Sequence, residues 1–222
     1  MFKSKRRPIA IPQWEHQRLA GTLALLWGNA DFQRPPIPPD SFLAGVGLHD
    51  RAYEPLDNLP IGELAEEEWL ALTRAGFFMA WSDPVADVIT KMHLKRLVSY
   101  EDSPARQALV AEMAQAIREL LQRHGLNTAT FERIDCITRL CDRIAFDFCF
   151  ETPAEGEVRI FPRNDRDEDI AVRYRIADSA IQVDPWPFGV KSYAGYLVGY
   201  KLDDYPKVLE PVMLPYRLAA RK

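Results

Sequence analysis

The side chains best equipped for chemistry are few and lie far apart in the chain. There are four histidines in 222 residues. His49 and Asp50 stand together at the end of the apolar stretch GVGLHD, while His16, His93 and Asp142 occur in EHQRLAG, TKMHLKRLV and RLCDRIA. One inward histidine is ordinarily a hydrogen-bonded core residue. Three imidazoles and two carboxylates buried together are different, because leaving them uncompensated costs several kcal/mol in desolvation. A divalent cation among them removes that cost. Neutral imidazole and ionised carboxylate suit Fe, Mn, Zn, Ni, Co or Mg, and mixed nitrogen and oxygen ligation with room for water is the pattern of a catalytic site.

The elements that must position these groups are helices up to about residue 150. Proline near the start and Gly28-Asn29 at the end predict a first helix over Pro12 to Trp27, with His16, Leu19, Leu23 and Trp27 on one face. A second opens at Asp40-Ser41 and turns Phe42, Val46 and His49 to one side. A third is expected across Gly62 to Ala80, and a fourth after Ser82-Asp83-Pro84 carries Val85, Val88, Ile89, Met92, His93 and Leu97. The fifth runs from Ser103-Pro104 to Gly125. The sixth runs from Thr130 to about Phe150, with Asp142 as the odd polar residue on an apolar side. From Glu155 the period falls to two: VRIFPR, IAVRYRI, AIQVDPWPF, GYLVGYKL and PVMLPYRL read as short strands. The expected fold is therefore α+β, one domain over 1–222, with a mainly helical core (1–150) of about six helices and a small C-terminal antiparallel β region (151–222) packed on it and covering Phe146, Phe148 and Phe150.

Composition narrows the function classes. A net charge of −4 and a pI near 5.6 give no basic field for nucleic acid. The run Lys3-Ser4-Lys5-Arg6-Arg7 is expected to be a frayed, solvated terminus. No apolar run is long enough to cross a membrane and no leader pattern is legible, so a cytoplasmic setting is expected. Cys136, Cys141 and Cys149 lack a Cys-x-x-Cys pair and read as reduced packing residues. His124 beside Gly125 suits a helix C-terminus.

The order His16, His49-Asp50, His93, Asp142 over successive helices resembles the HD superfamily of metal-dependent phosphohydrolases. The resemblance covers residues 16 to 142 and implies an HD-like helical core. It also implies that His16, His49, Asp50 and Asp142 hold a divalent metal and that Asp50 bridges a second ion where one binds. His93 is similar to the additional histidine of two-metal members, and would complete the second site or act as general acid. More closely, HQRLAG, LHD, CDRIAF and DPWPF resemble a bacterial family known only as a domain of unknown function, across most of the chain. The residues after the pair, Arg51-Ala52-Tyr53, depart from both patterns. Arg51, Lys95 and Arg96 are the candidate phosphate-binding cations.

The implied activity is hydrolysis of a nucleotide or small phosphoester, with Asp50 and His93 as catalytic residues and a phosphorylated small molecule as partner. Two other readings use the same residues. In one the metal is iron and dioxygen is the co-substrate, as in HD-type oxygenases. In the other the core is a non-catalytic, metal-stabilised binding or regulatory module, with Trp186, Phe188, Tyr193, Tyr196 and Tyr200 as its working surface. Oligomeric state is not legible.

Overall fold

A computed structural model of the chain describes all residues except 59–63, 80, 162–168, 204 and 222. In chain order the elements are β1 (Phe2–Lys3), β2 (Ile9–Ile11), α1 (Gln13–Leu26), α2 (Pro39–Gly47), a 3-10 helix (Arg51–Asn58), α3 (Glu66–Phe78), α4 (Pro84–Val98), α5 (Pro104–Arg123), α6 (Thr128–Cys149), β3 (Ala154–Ile160), β4 (Ile170–Ala177), β5 (Ala180–Asp184), β6 (Ser192–Lys201) and β7 (Pro211–Ala220). The six α-helices fall where apolar periodicity and caps place them. Asp83 accepts from the amides of Val85 and Ala86, Ser103 from Arg106 and Asn127 from Thr130, which satisfies otherwise orphaned donors at three helix starts. The expected third helix extends at both ends into residues outside the described set, as does the strand expected at VRIFPR. No helix among the described residues is long and apolar enough to cross a membrane.

The sheet differs from the expectation of a small, C-terminal, antiparallel one. Among the described residues it has seven strands in the order β1-β2-β6-β7-β5-β4-β3, curls into a half-barrel and draws on both ends of the chain. β2 pairs with β6, Ile9 opposite Lys201, and β5 runs parallel to β7 while the other neighbours are antiparallel. The basic terminal stretch is accordingly docked rather than frayed. Ser4 accepts from the Arg6 and Arg7 amides, Arg7 pairs with Glu151 at 2.7 Å, and the Lys5 amide donates to the Phe150 carbonyl. Two residues of a strand add little alone, but they give the segment's backbone groups partners it would otherwise have to find in water.

Close helix crossings bring the distant histidines together. A Cβ on Gly21 of α1 would stand 3.1 Å from the Gly47 Cα of α2, and a Cβ on Gly45 would meet Ile89 of α4 at 2.7 Å. Larger residues there would push apart the helices that carry His16, the His49 turn and His93. On its other side α1 is tied to the sheet: Glu15 accepts from the Val198 amide at 2.7 Å and Arg18 donates to the Tyr196 carbonyl. Phe148 is buried and its ring meets Tyr216 of β7 edge-on at 5.6 Å, whereas Phe146 stays 44% exposed. The sheet therefore covers one of the expected phenylalanines and leaves another at the mouth of a cleft.

Candidate metal centre

His16 sits one turn into α1. Pro12 has no side-chain acceptor for that helix start, so Asp57, buried at the end of the 3-10 helix, takes the Gln13 amide at 2.7 Å and the Trp14 amide at 3.4 Å. Burial raises the Asp57 pKa, against these hydrogen bonds, which favour its ionised form. The cap comes from a segment 44 residues away, and it couples the start of α1 to the chain just past the His49-Asp50 pair.

His49 lies immediately after α2. Its Nδ1 is 2.7 Å from the Val46 carbonyl, which can only accept, so Nδ1 carries the proton and the Nε2 lone pair faces inward. That lone pair meets His16 Nε2 at 3.0 Å. Asp142 Oδ1 lies 3.3 Å from His16 Nε2 and 3.5 Å from His49 Nε2, and Asp50 Oδ2 lies 3.4 and 3.7 Å from the same two atoms. One donor atom from each of His16, His49, Asp50 and Asp142 lies within 4.8 Å of every other, and all four residues are buried.

This donor set fits a divalent metal ion. Two imidazole lone pairs aimed at one another repel unless a proton or a cation stands between them. Adjacent ligands at about 90° and about 2.1 Å from a transition metal are themselves about 3 Å apart. With no cation among them, protons take up the role. Burial works against a charged His16, but Asp142 and Asp50 outweigh it and hold the pKa well above the usual imidazole value. Burial likewise opposes ionisation of Asp50 and Asp142, yet the neighbouring histidines keep both carboxyls well below the ordinary range. His16 Nδ1 has no hydrogen-bond partner among the described residues, and the Cys149 thiol adjoins the ring.

His93 occupies a different place from the four. Arg96 Nη2 lies 2.9 Å from His93 Nδ1, and a guanidinium only donates, so Nδ1 accepts and the ring proton sits on Nε2. Nε2 then donates to Asp50 Oδ1 at 2.8 Å. Burial lowers the His93 pKa, in keeping with a neutral ring. Both ring nitrogens are thereby engaged, and His93 bears on the metal cluster through Asp50. Gln13 Nε2 donates to the other Asp50 oxygen at 2.6 Å, so the carboxylate is held from both sides.

The three expected phosphate-binding cations do not line the space in front of the cluster. Arg51 turns away, donating to the Met79 carbonyl, approaching Asp87 at 3.5 Å and lying 4.0 Å over the Trp81 ring. Arg96 is buried behind His93 and paired with Asp135. Lys95 is half-buried on α4, outside the cavity lining. His124 caps α5 at the surface. The reason is reach: a long cationic side chain follows the nearest carboxylate or aromatic face, which sequence spacing alone does not reveal.

In front of the cluster lies a cavity of about 570 Å³ whose wall includes Asp50, Asp142, Gln13, Tyr53, Trp69, Tyr100, Arg143 and Phe146. Gln13 and Arg143 were not anticipated. Helical spacing carried a signal for Gln13, which precedes His16 by three positions, but none for Arg143, whose neighbour Asp142 points about 100° away around the helix.

The fold and site thus define a helical His/His/Asp/Asp centre backed by a mixed sheet, with the carboxylates at the floor of an aromatic cleft. Residues 2–202 match the family described as a protein of unknown function (DUF3891), and the chain belongs to that family. No curated protein and no solved structure matches it.

Proposed function

We propose that this protein is a metal-dependent hydrolase of the HD type acting on a small phosphoester, with His16, His49, Asp50 and Asp142 as the metal ligands. The carrying observation is the position of the cluster, buried yet presenting Asp50 and Asp142 to a cavity of about 570 Å³. Two imidazoles with two carboxylates favour Fe, Mn, Co, Ni or Zn over Mg. Such an ion, when bound, supplies Lewis acidity toward a phosphoryl oxygen and lowers the pKa of water. The chain's own residues do the rest. Val46 sets the tautomer of His49, Gln13 and His93 fix the direction of Asp50, and Arg96 fixes His93 with its proton toward Asp50. His93 is on this reading a positioning residue for Asp50.

Elemental analysis of protein purified without added metal, followed by phosphate release from a panel of nucleotides and phosphomonoesters, tests the proposal. A stoichiometric transition metal and turnover lost in Asp50→Ala are expected. Metal-replete protein inert on the whole panel would overturn it.

A specific observation favours a second reading, an HD-type iron oxygenase. Arg51, Lys95 and Arg96 stand outside the cavity, and more than half of its lining residues are aromatic or aliphatic, which suits an apolar substrate. Oxygen-dependent product formation by anaerobically iron-loaded protein, with no phosphate release, would select it.

A further inference from the structure

The cavity has a second chemical feature besides the metal cluster. Of the charged side chains in its lining, Asp50 and Asp142 face the cluster, Asp147 accepts the Tyr174 hydroxyl, and Arg143 is the one arginine or lysine among the described residues. Arg143, on α6, lines the same cavity as Asp142, with Asp147 and Tyr174 as neighbours of its guanidinium. The Tyr174 hydroxyl, on β4, neighbours that guanidinium and itself donates to Asp147. A guanidinium has five N–H donors in a planar fork, enough to engage a ligand beside these neighbours.

The opposite chemistry lines the rest of the wall. The rings of Tyr53 and Trp69 lie 10° from parallel with centroids 6.4 Å apart, and the Tyr53 hydroxyl is fixed by Thr73 Oγ1 at 2.8 Å. Arg106 lies 4.9 Å from the Trp69 ring centroid and immobilises it further. At the mouth, Tyr100 and Phe146 leave 50% and 44% of their surface to solvent. Rigid aromatic faces around a concave space favour a flat, apolar body that stacks on them.

We infer that this cleft binds a small oxyanion carrying a planar aromatic ring, with Arg143 taking the anionic group and the Tyr53 and Trp69 wall taking the ring. The inference rests on the cavity being the substrate site of the metal centre. Charge makes the two interdependent: the three carboxylates outnumber the guanidinium even with a proton held at the cluster, and so repel an anion, whereas a divalent cation there offsets them. Anion binding therefore requires metal.

The test uses phenylphosphonate, whose carbon–phosphorus bond resists hydrolysis, titrated calorimetrically into the full chain with and without Mn²⁺. Methylphosphonate lacks the ring and benzoate replaces the phosphonate by a carboxylate. Phenylphosphonate should bind only the Mn²⁺-loaded protein, and Arg143→Gln should weaken it by about tenfold or more, with Arg143→Lys intermediate and Mn²⁺ affinity unchanged. Trp69→Ala, or Trp69→Phe where the alanine variant unfolds, should weaken phenylphosphonate and leave methylphosphonate unaltered. Equal binding of phenylphosphonate by wild type and Arg143→Gln, or equal binding of the phenyl and methyl compounds, would overturn the inference. A preference for benzoate keeps Arg143 as the anion anchor and counts against the phosphoester reading. Failure of the Mn²⁺ titration itself, read before any organic anion is added, overturns the metal reading instead.

Discussion

Asp50 and Arg51 are neighbours in the chain, yet they end in two different buried polar clusters of opposite construction. Asp50 joins His16, His49 and Asp142, where the facing atoms are carboxylate oxygens and imidazole nitrogens and, among the described residues, the Arg96 guanidinium approaches Asp142 Oδ2 at 3.8 Å without entering the group of four. Arg51 joins Asp87 and Lys91, where Lys91 Nζ meets Asp87 Oδ1 at 2.5 Å and the cations also rest on Trp81 and Phe77. The second cluster carries its own opposite charges, Asp87 against Arg51 and Lys91, although Arg51 Nε has no hydrogen-bond partner among the described residues. The first gains them only by taking up protons or a metal. Burial of charge is common to both, so burial does not mark a binding site; an excess of inward acceptors does.

Variants of the two clusters should therefore fail in opposite ways. The largest effect is expected from Asp142→Ala, which should reduce metal affinity by more than about a hundredfold and abolish the rise in Tm that metal gives the wild type. Asp87→Ala should leave metal affinity within about twofold while costing about 3 kcal/mol of stability, because Lys91 and Arg51 lose their buried partner. Calorimetric metal titration and urea unfolding, run on both variants, separate the two patterns. Similar behaviour of the pair would dissolve the distinction.

His93→Phe sharpens the comparison at its border. Its role through Asp50 predicts a loss of metal affinity of about 10- to 100-fold, with metal still bound at saturation, and Arg96→Met should follow in the same direction by a smaller factor. Loss of half the bound metal from a two-ion site would instead make His93 a ligand.

Acidity separates the clusters more gently. A metal must displace the proton that His16 holds with raised affinity, so apparent metal affinity should fall by up to about tenfold per pH unit as pH drops below that raised pKa, with proton release on binding. Without metal the signs differ by group. The depressed Asp50 and Asp142 contribute stability that is present above the unfolded carboxyl value and lost as pH falls, while His16 contributes stability present below the unfolded imidazole value and lost as pH rises. These groups together favour the metal-free fold most between about pH 4 and 6.5, and the gain in Tm from metal should grow above that window. Thermal melts with and without chelator across pH measure it. The smallest effect is expected of Lys95→Ala, which should change neither metal affinity nor stability beyond about 0.5 kcal/mol.

What the sequence by itself determined is the set of helices and which polar residues they turn inward. Helical period and caps such as Asp83-Pro84 and Ser103-Pro104 are local, so His16, His93 and Asp142 could be read as inward-facing, with His49-Asp50 at the end of an apolar stripe. An unusual concentration of buried acceptors then pointed to a cation. Tertiary structure alone decided the remainder, because each part depends on partners distant in sequence. β2 carries no strand signal of its own beyond three residues, and it exists because β6 offers an edge to Ile9 and Ala10. The parallel pairing of β5 with β7 is likewise a choice among edges that alternation cannot make. Period turns His93 inward, but only the fold sets Arg96 at its Nδ1 and Asp50 at its Nε2, and only the fold brings Asp87 to Arg51 and Asp135 to Arg96. Periodicity tells which way a short side chain faces. Where a long cationic one ends is settled by whichever carboxylate or ring the fold brings within its reach.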